Sequence, residues 1–239
     1  MAMGIRPPAF IGAYPTRERA ISHVSNGTPA SYDDDDIAPV NFEVMKQVHI
    51  WDYPVMFWLE RLVEPNLQVL DAGGHFGTKY IAFHEHIDLN AVIWSTYDLP
   101  ATIRAARDLQ KTGIVPEEIQ FFDDVTQIKA ADVLLASGLL QYLDIEFADL
   151  VAKLTQKPKH ILLNKVATTL GPTVVTLEKI GNGRIPYQIR NREAFEQGIS
   201  EIGYVIRDSW QIPSLSRTIA THPSLGASTS MGYFLERAE

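Results

Sequence analysis

The stretch Leu67-Gln-Val-Leu-Asp71-Ala-Gly73-Gly74-His75-Phe-Gly77 carries the densest chemistry in the chain. Its apolar opening reads as a buried strand, and Asp71 places an acid at the strand's end, two positions before the first glycine. The glycines allow positive φ and let a ligand approach the main chain closely. A helix opening after such a turn offers unpaired N–H groups to a ligand's polar edge. The same turn would also serve simple helix–sheet packing, and the stretch alone leaves both readings open.

Three further segments follow in order. In Ile93-Trp-Ser-Thr-Tyr-Asp98-Leu99-Pro100 an acid closes a second strand, about twenty-five residues past the first turn, where a carboxylate can accept both hydroxyl hydrogens of a ribose. Asp98 would equally cap a helix starting at Pro100. Phe121-Phe122-Asp123-Asp124 ends a short apolar strand, and either aspartate could face a ligand or simply solvate a turn. Ala131-Asp-Val-Leu-Leu-Ala-Ser137-Gly138-Leu-Leu-Gln141-Tyr142 is a buried strand that ends in a Ser-Gly turn.

The pattern Asp71-x-Gly73-Gly74-His75-x-Gly77 resembles motif I of the class I S-adenosylmethionine (SAM)-dependent methyltransferases, with His75 where the middle glycine is usual. The resemblance implies that this turn lies under the methionine moiety of SAM and that Asp71 helps bind its ammonium group. Asp98-Leu99-Pro100 is similar to the matching segment of small-molecule O-methyltransferases, implying ribose binding by Asp98. An acidic or amide side chain near 121–124 commonly meets the adenine amino group in that family, a role for Asp123 or Asp124, with Asp123 preferred. Ser137-Gly138 would complete the adenine side. The segment 131–143 resembles motif IV of the O-methyltransferases, where a Leu-His supplies a general base. Here Gln141 stands at that position, and an amide takes no proton at neutral pH, so the family's base does not transfer. The whole chain, including Leu162-Leu-Asn164-Lys165, Pro186-Tyr187, Asn191-Arg192, Gly203-Tyr204 and Trp210, also looks like a bacterial methyltransferase family associated with surface-polysaccharide gene clusters. That likeness implies a sugar or glycoconjugate acceptor and a place in polysaccharide biosynthesis.

Methyl transfer from a sulfonium is an in-line displacement, served by holding the acceptor close and aligned. A hydroxyl acceptor would also benefit from a base. The candidates for catalysis are His49, Gln141 and Asn164. His49 would reach the pocket if its aromatic-rich helix is a lid, and otherwise sits on an ordinary amphipathic face. Asn164 and Lys165 end a strand at the edge of the sheet where substrates bind, although Lys165 could equally be solvated. Arg190 and Arg192, beside Tyr187, would bind an anionic group or pair with surface acids. No metal is expected. His84 and His86 do not share a helical face, and the run Asp33–Asp36 reads as a solvated loop rather than a hard-cation site.

Elements that position these residues follow from periodicity. Strands are predicted at 67–72, 91–97, 119–122, 132–136 and 159–164, with helices at 78–87, 100–111 and 145–155 between or after them. Such alternation implies a parallel sheet covered on both faces. A helix at 192–202 and strands at 204–207 and 232–235 close the chain. Val44, Val48, Trp51, Val55, Trp58, Leu59 and Leu62 recur at helical steps, and Pro54 predicts a kink or two short helices. This segment either packs on the core or forms a cap or dimer contact, so a homodimer is one option. The expectation is an α/β, Rossmann-like class I methyltransferase fold: a mostly parallel seven-stranded sheet, helices on both faces, and an N-terminal helical extension. Residues 1–60 would be an irregular arm and helical cap, and 61–239 the SAM-binding domain.

Composition fits. The chain has 239 residues, 46% of them hydrophobic, enough for one full core. It has no cysteine, which excludes disulfides and thiolate metal sites. Its net charge of −8, without a basic stripe, argues against nucleic acid and for a small-molecule or carbohydrate acceptor. No apolar run approaches the ~20 residues of a membrane helix, and Met1–Pro8 lacks a secretory pattern; a soluble, cytoplasmic protein is expected. Two rivals stand beside the methyltransferase. One is a non-catalytic SAM- or S-adenosylhomocysteine-binding protein. The other is an NAD(P)-dependent oxidoreductase, against which the lack of G-x-G-x-x-G and of Tyr-x-x-x-Lys counts.

Overall fold

The computed structural model describes residues 8–24, 42–128, 130–181 and 183–238. The aspartate run 33–36 lies outside the described residues, as does most of the expected arm. The elements run β1 (Phe10–Tyr14), α1 (Arg17–Ile21), α2 (Phe42–Met45), a 3-10 turn (Ile50–Asp52), α3 (Tyr53–Leu62), β2 (Gln68–Ala72), α4 (Thr78–Phe83), β3 (Ile93–Tyr97), α5 (Pro100–Lys111) and β4 (Gln120–Phe122). After these come β5 (Val133–Ser137), α6 (Phe147–Ala152), β6 (His160–Thr169), β7 (Val174–Ile180), β8 (Gly183–Asn191), α7 (Arg192–Glu201), β9 (Tyr204–Ile212) and β10 (Thr229–Arg237).

The central strands are apolar throughout because both faces of the sheet are covered. Val69, Trp94, Leu135, Leu162 and Phe234 point to one face, where α3, α4 and α5 pack through Val55, Leu59, Phe83 and Ile103. Leu70, Leu134, Leu163, Tyr233 and Leu235 point to the other, against Phe147 and Val151 of α6 and Ile199 of α7. Neighbouring residues of each strand thus serve opposite layers, as the two-residue period of a strand requires.

The described chain has ten strands rather than the seven expected. Seven of them form the path β4-β3-β2-β5-β6-β10-β9, parallel from β4 to β6 and antiparallel where β10 meets β6 and β9. The other three, β1, β7 and β8, pair antiparallel among themselves and join the sheet only where Thr168 and Thr169 of β6 meet Arg190 and Asn191 of β8. The expected strands do not include 170–191, although Gly181-Asn-Gly183 between two β-branched runs is a hairpin signal.

The N-terminal segment differs from an irregular arm for the same reason. Phe10 and Ile11 lie opposite Glu178 and Leu177, so the main chain of β1 is satisfied by β7. Of the two options at Pro54 the structure takes separate short helices: Pro54 stands in the first turn of α3, where its missing N–H is not needed, so it starts a helix instead of kinking one. α3 is fastened to the core, with Trp58 stacked on Phe234 at 4.1 Å between ring centroids and its indole N–H donating to Asp208 at 2.8 Å. No helix among the described residues is long and apolar enough to cross a membrane.

One ion pair ties the 3-10 turn to α4. Lys79 Nζ lies 2.8 Å from Asp52 Oδ1, with side chains 7% and 0% exposed. Asp52 Oδ2 accepts the His49 N–H at 3.0 Å. Removing one partner of such a buried pair leaves the other charge uncompensated, at roughly 3–5 kcal/mol. Asp52→Ala is therefore expected to lower the melting temperature by on the order of 10 °C, given ~2–4 °C per kcal/mol at this size, and adding Lys79→Met should restore part of the loss. A drop of only a degree or two in Asp52→Ala would remove the pair from its structural role.

Candidate functional site

The Gly-rich turn lies at the C-terminal end of β2, between the ends of β3 and β5. Gly73 and Gly77 take φ of 70° and 72°. His75 takes 55°, a left-handed conformation that costs a side chain about 1–2 kcal/mol. Histidine thus adopts the backbone for which glycine is usual, and its ring packs on Phe76, with 3.9 Å between centroids, and on Phe42 of α2 at 6.3 Å. A Cβ on Gly74 would overlap the Asp71 carboxylate, and one on Gly73 would lie 2.9 Å from Leu139. The glycines therefore let the turn pack directly on the Asp71 carboxylate and on Leu139.

Asp71 is 1% exposed, and its Oδ2 has no hydrogen-bond partner. Burial raises its pKa to about 7, Lys79 and Lys165 acting against that rise and Asp98 with it. The Trp94 indole N–H, itself buried without a partner, acts on this carboxylate and lowers its pKa against the effect of burial.

Asp98, at the end of β3, accepts the His75 N–H at 2.8 Å and the Leu99 N–H at 2.7 Å. The carboxylate proposed for a ribose thereby also fastens the glycine turn. Leu99 itself is 40% exposed at the same edge. The two remaining acids separate: Asp124 is turned into a local cap, its Oδ1 accepting from Thr126 N and Oγ1 at 2.9 and 2.7 Å, while Asp123 is exposed beside it.

The catalytic candidates are mostly occupied. Asn164 is 1% exposed. Its Nδ2 donates to the Trp51 carbonyl at 3.1 Å, and its Oδ1 accepts the Trp210 indole N–H at 3.1 Å. It pins the 3-10 turn to the sheet. His49 stacks on Trp51, with Nε2 3.1 Å from the Val44 carbonyl. Gln141 is buried, donates to the Gly138 carbonyl at 2.9 Å, and keeps Oε1 without a partner. Ser137 lies opposite Asn164 in the sheet, and Gly138 takes φ of 83°.

Two basic residues are withdrawn from solvent. Arg190 is neither a surface group nor an open anion site: it is 3% exposed and donates to the Leu140 carbonyl at 2.7 Å, and burial lowers its pKa to about 10. Lys165 is half-buried rather than solvated and takes φ of 59°. Sequence reasoning missed Asp52 and Lys79 entirely, because nothing local marks an ion pair between a turn and a helix. A cavity of about 250 Å³ is lined by Thr16, Arg17, Gln188 and, from the segment that follows Gln141 in sequence, Asp144 and Glu146, among others; it includes no residue of the glycine turn, nor Gln141 or Lys165.

A folded-state pKa near 7 for Asp71 against an unfolded value near 4 fixes the sign of a pH effect. The contribution to stability is full below about pH 4 and is lost as pH rises through about 7, because ionisation is opposed only in the fold. Asp71→Asn is expected to melt higher than the unmodified protein at pH 8, by up to about 4 kcal/mol, with little gain at pH 4. Equal differences at both pH values would show that the buried carboxylate is not the source.

No family model and no curated protein matches the sequence. Solved structures match in fold. The Burkholderia thailandensis 1,6-didemethyltoxoflavin-N1-methyltransferase, with bound 1,6-didemethyltoxoflavin and S-adenosylhomocysteine, is similar at TM-score 0.53 and 16% identity, over 86% of this chain and 87% of that one. The glycopeptide N-methyltransferase MtfA, complexed with SAM, gives 0.52 at 11% identity, over 79% and 94%. LepI, in complex with S-adenosylhomocysteine and a substrate analogue, gives 0.51 at 12% identity, over 84% of this chain and 52% of that one. At these identities the likeness establishes the α/β fold that SAM-dependent methyltransferases share, with its mostly parallel sheet.

Proposed function

We infer that this chain is a SAM-dependent methyltransferase acting on a hydroxyl or amine of a small-molecule, sugar or glycoconjugate acceptor. The observation that carries the reading is the left-handed, Gly-rich turn at the end of β2, above the buried Asp71 carboxylate and fastened by Asp98 through the His75 N–H. In this reading Asp71 and the turn Gly73-Gly74-His75-x-Gly77 hold the methionine end. Asp98 with Leu99 holds the ribose, Asp123 or Asp124 the adenine side, and Ser137 and Gly138 line the cofactor beside Lys165. When bound, SAM supplies an electrophilic methyl group. The chain's own part is to align the acceptor and exclude water. Residues 42–60 then act as a cap, through Phe42 on His75 and the Trp51 carbonyl on Asn164.

The polar cavity at Asp144 and Glu146 supports a polyhydroxylated acceptor. Asp144, Glu146 and the Gln188 amide line it, and each can accept from a hydroxyl. A sugar acceptor agrees with the likeness to the surface-polysaccharide family and with action in the cytoplasm, where activated sugars are made. The loss of a histidine at Gln141 favours, as a second reading, a protein that binds SAM or its product without turnover. Release of S-adenosylhomocysteine with any member of an acceptor panel would reject that alternative.

Calorimetry with S-adenosylhomocysteine, supported by thermal melts, tests the cofactor. Ligand at ~100 times its dissociation constant stabilises by about 2.7 kcal/mol, a rise of several degrees at ~2–4 °C per kcal/mol. NAD should give no shift. Asp98→Ala should weaken binding by roughly tenfold or more, the loss of a charged hydrogen bond being worth about 1.5–3 kcal/mol. Binding of NAD but not S-adenosylhomocysteine would reject the methyltransferase reading.

A further inference from the structure

β6 contains a bulge at the site. Met231 and Tyr233 of β10 lie opposite Val166 and Leu163 of β6, so β6 advances three residues while β10 advances two. The extra residue falls at Asn164–Lys165, and Lys165 is the member with positive φ. A bulge re-aims a side chain that the regular pleat would send elsewhere, and bulges gather next to active sites. Glycine is the unstrained choice at such a position. A lysine held there implies that its side chain is needed where the bulge sends it.

The bulge sends it over Gly138. A Cβ on Gly138 would stand 3.1 Å from Lys165 Cε, 3.2 Å from Nζ and 3.8 Å from Gln141 Nε2. The lysine head and the Gln141 amide therefore border the same point, next to the end of β5. Among the described residues the Lys165 ammonium makes no hydrogen bond or ion pair. The charged groups around it are Lys79 of α4, Asp52 of the 3-10 turn and Asp71 of β2. Asp52 is already engaged with Lys79.

We propose that Lys165 Nζ is the proton acceptor of the methyl transfer, the role that Gln141 cannot fill. The proposal rests on the methyltransferase reading and adds the base that reading lacks. As the acceptor's oxygen or nitrogen bonds to the methyl carbon, the S–CH3 pair returns to sulfur and the acceptor's proton passes to the Nζ lone pair. The products are the methylated acceptor, neutral S-adenosylhomocysteine and the Lys165 ammonium, which returns its proton to solvent. Gln141 Oε1, buried and unpartnered, is an acceptor for a second hydrogen of an amine or a neighbouring hydroxyl. Burial, with Lys79 adding to it and Asp52 and Asp71 opposing it, lowers the Lys165 pKa to about 8. A useful fraction is then unprotonated near neutral pH, as a base requires.

The test uses the full chain saturated with S-adenosylhomocysteine. Competitive acetylation by acetic anhydride, read by peptide mass spectrometry from pH 6 to 11, should show Lys165 half-reactive near pH 8, against about 10.4 for an ordinary lysine. Lys165→Met and Lys165→Gly should bind S-adenosylhomocysteine within threefold of the unmodified chain. Lys165→Gly should also melt higher, because the left-handed strain is relieved, which separates the chemical role from folding. With an acceptor found by panel screening, both variants should lose about a hundredfold or more in kcat, and the unmodified enzyme's kcat should rise through pH 8. Titration of Lys165 near 10.4, or a tenfold loss of S-adenosylhomocysteine affinity in Lys165→Met, would overturn the proposal while leaving the methyltransferase reading intact. Failure of the unmodified chain to bind S-adenosylhomocysteine would instead remove the reading itself, and the proton-acceptor role with it.

Discussion

The contact between Asp52 and Lys79 fixes how the N-terminal segment meets the sheet. Both oxygens of Asp52 are used, one by the Lys79 ammonium and one by the His49 N–H, so the 3-10 turn cannot rotate without stranding a charge in the core. Desolvating two charges is expensive, and a pair of this kind is better evidence for a specified geometry than for net stability. The geometry it specifies is useful: the turn presents the Trp51 carbonyl to Asn164, and Asn164 in turn holds Trp210 of β9. The 3-10 turn, the helix after the glycine turn and the end of β6 are thereby linked through polar contacts rather than through apolar packing alone. The same two charges belong to the field felt by Lys165, and Lys79 to that felt by Asp71.

Legibility in the sequence followed the range of the signal. β2 and the turn after it could be read because an apolar run, an acid and closely spaced glycines are local marks of a strand turning into a helix. α5 was read to its ends, Pro100 and Lys111, since proline marks a first turn and the apolar spacing does the rest. β6 was read only to Asn164, because the bulge at Lys165 breaks the two-residue period. Beyond the bulge, Val166, Ala167 and Thr168 are partnered by β10, and Thr168 and Thr169 by β8, partners that local pattern does not reveal. The ion pair of Asp52, the pinning of Asn164 and the burial of Arg190 all depend on residues distant in sequence. For such side chains, type alone suggested solvent or substrate, and tertiary context decided otherwise.

The site and the additional strands are mechanically connected. Arg190 of β8 holds the Leu140 carbonyl, Arg17 of α1 holds the Tyr142 carbonyl at 3.0 Å, and the Tyr142 hydroxyl donates to Glu178 of β7 at 2.7 Å. The turn that contains Gln141 is thus braced from the side of β7 and β8, not from the central sheet alone. Fold likeness to methyltransferases does not determine what is methylated.

β1 has a consequence for the birth of the molecule. Phe10 finds its partner only at Glu178, so during synthesis at ~5–20 residues per second the first strand waits roughly ten to thirty seconds for the hairpin that completes it. Pairing so distant must also overcome a large loop-closure entropy before any contact rewards it. The parallel strands β2 to β6 can assemble in order as they leave the ribosome, the brace around the Gln141 turn follows, and β10, which fills the sheet between β6 and β9, closes last. A nascent chain therefore holds its glycine turn before the strands that brace the Gln141 turn.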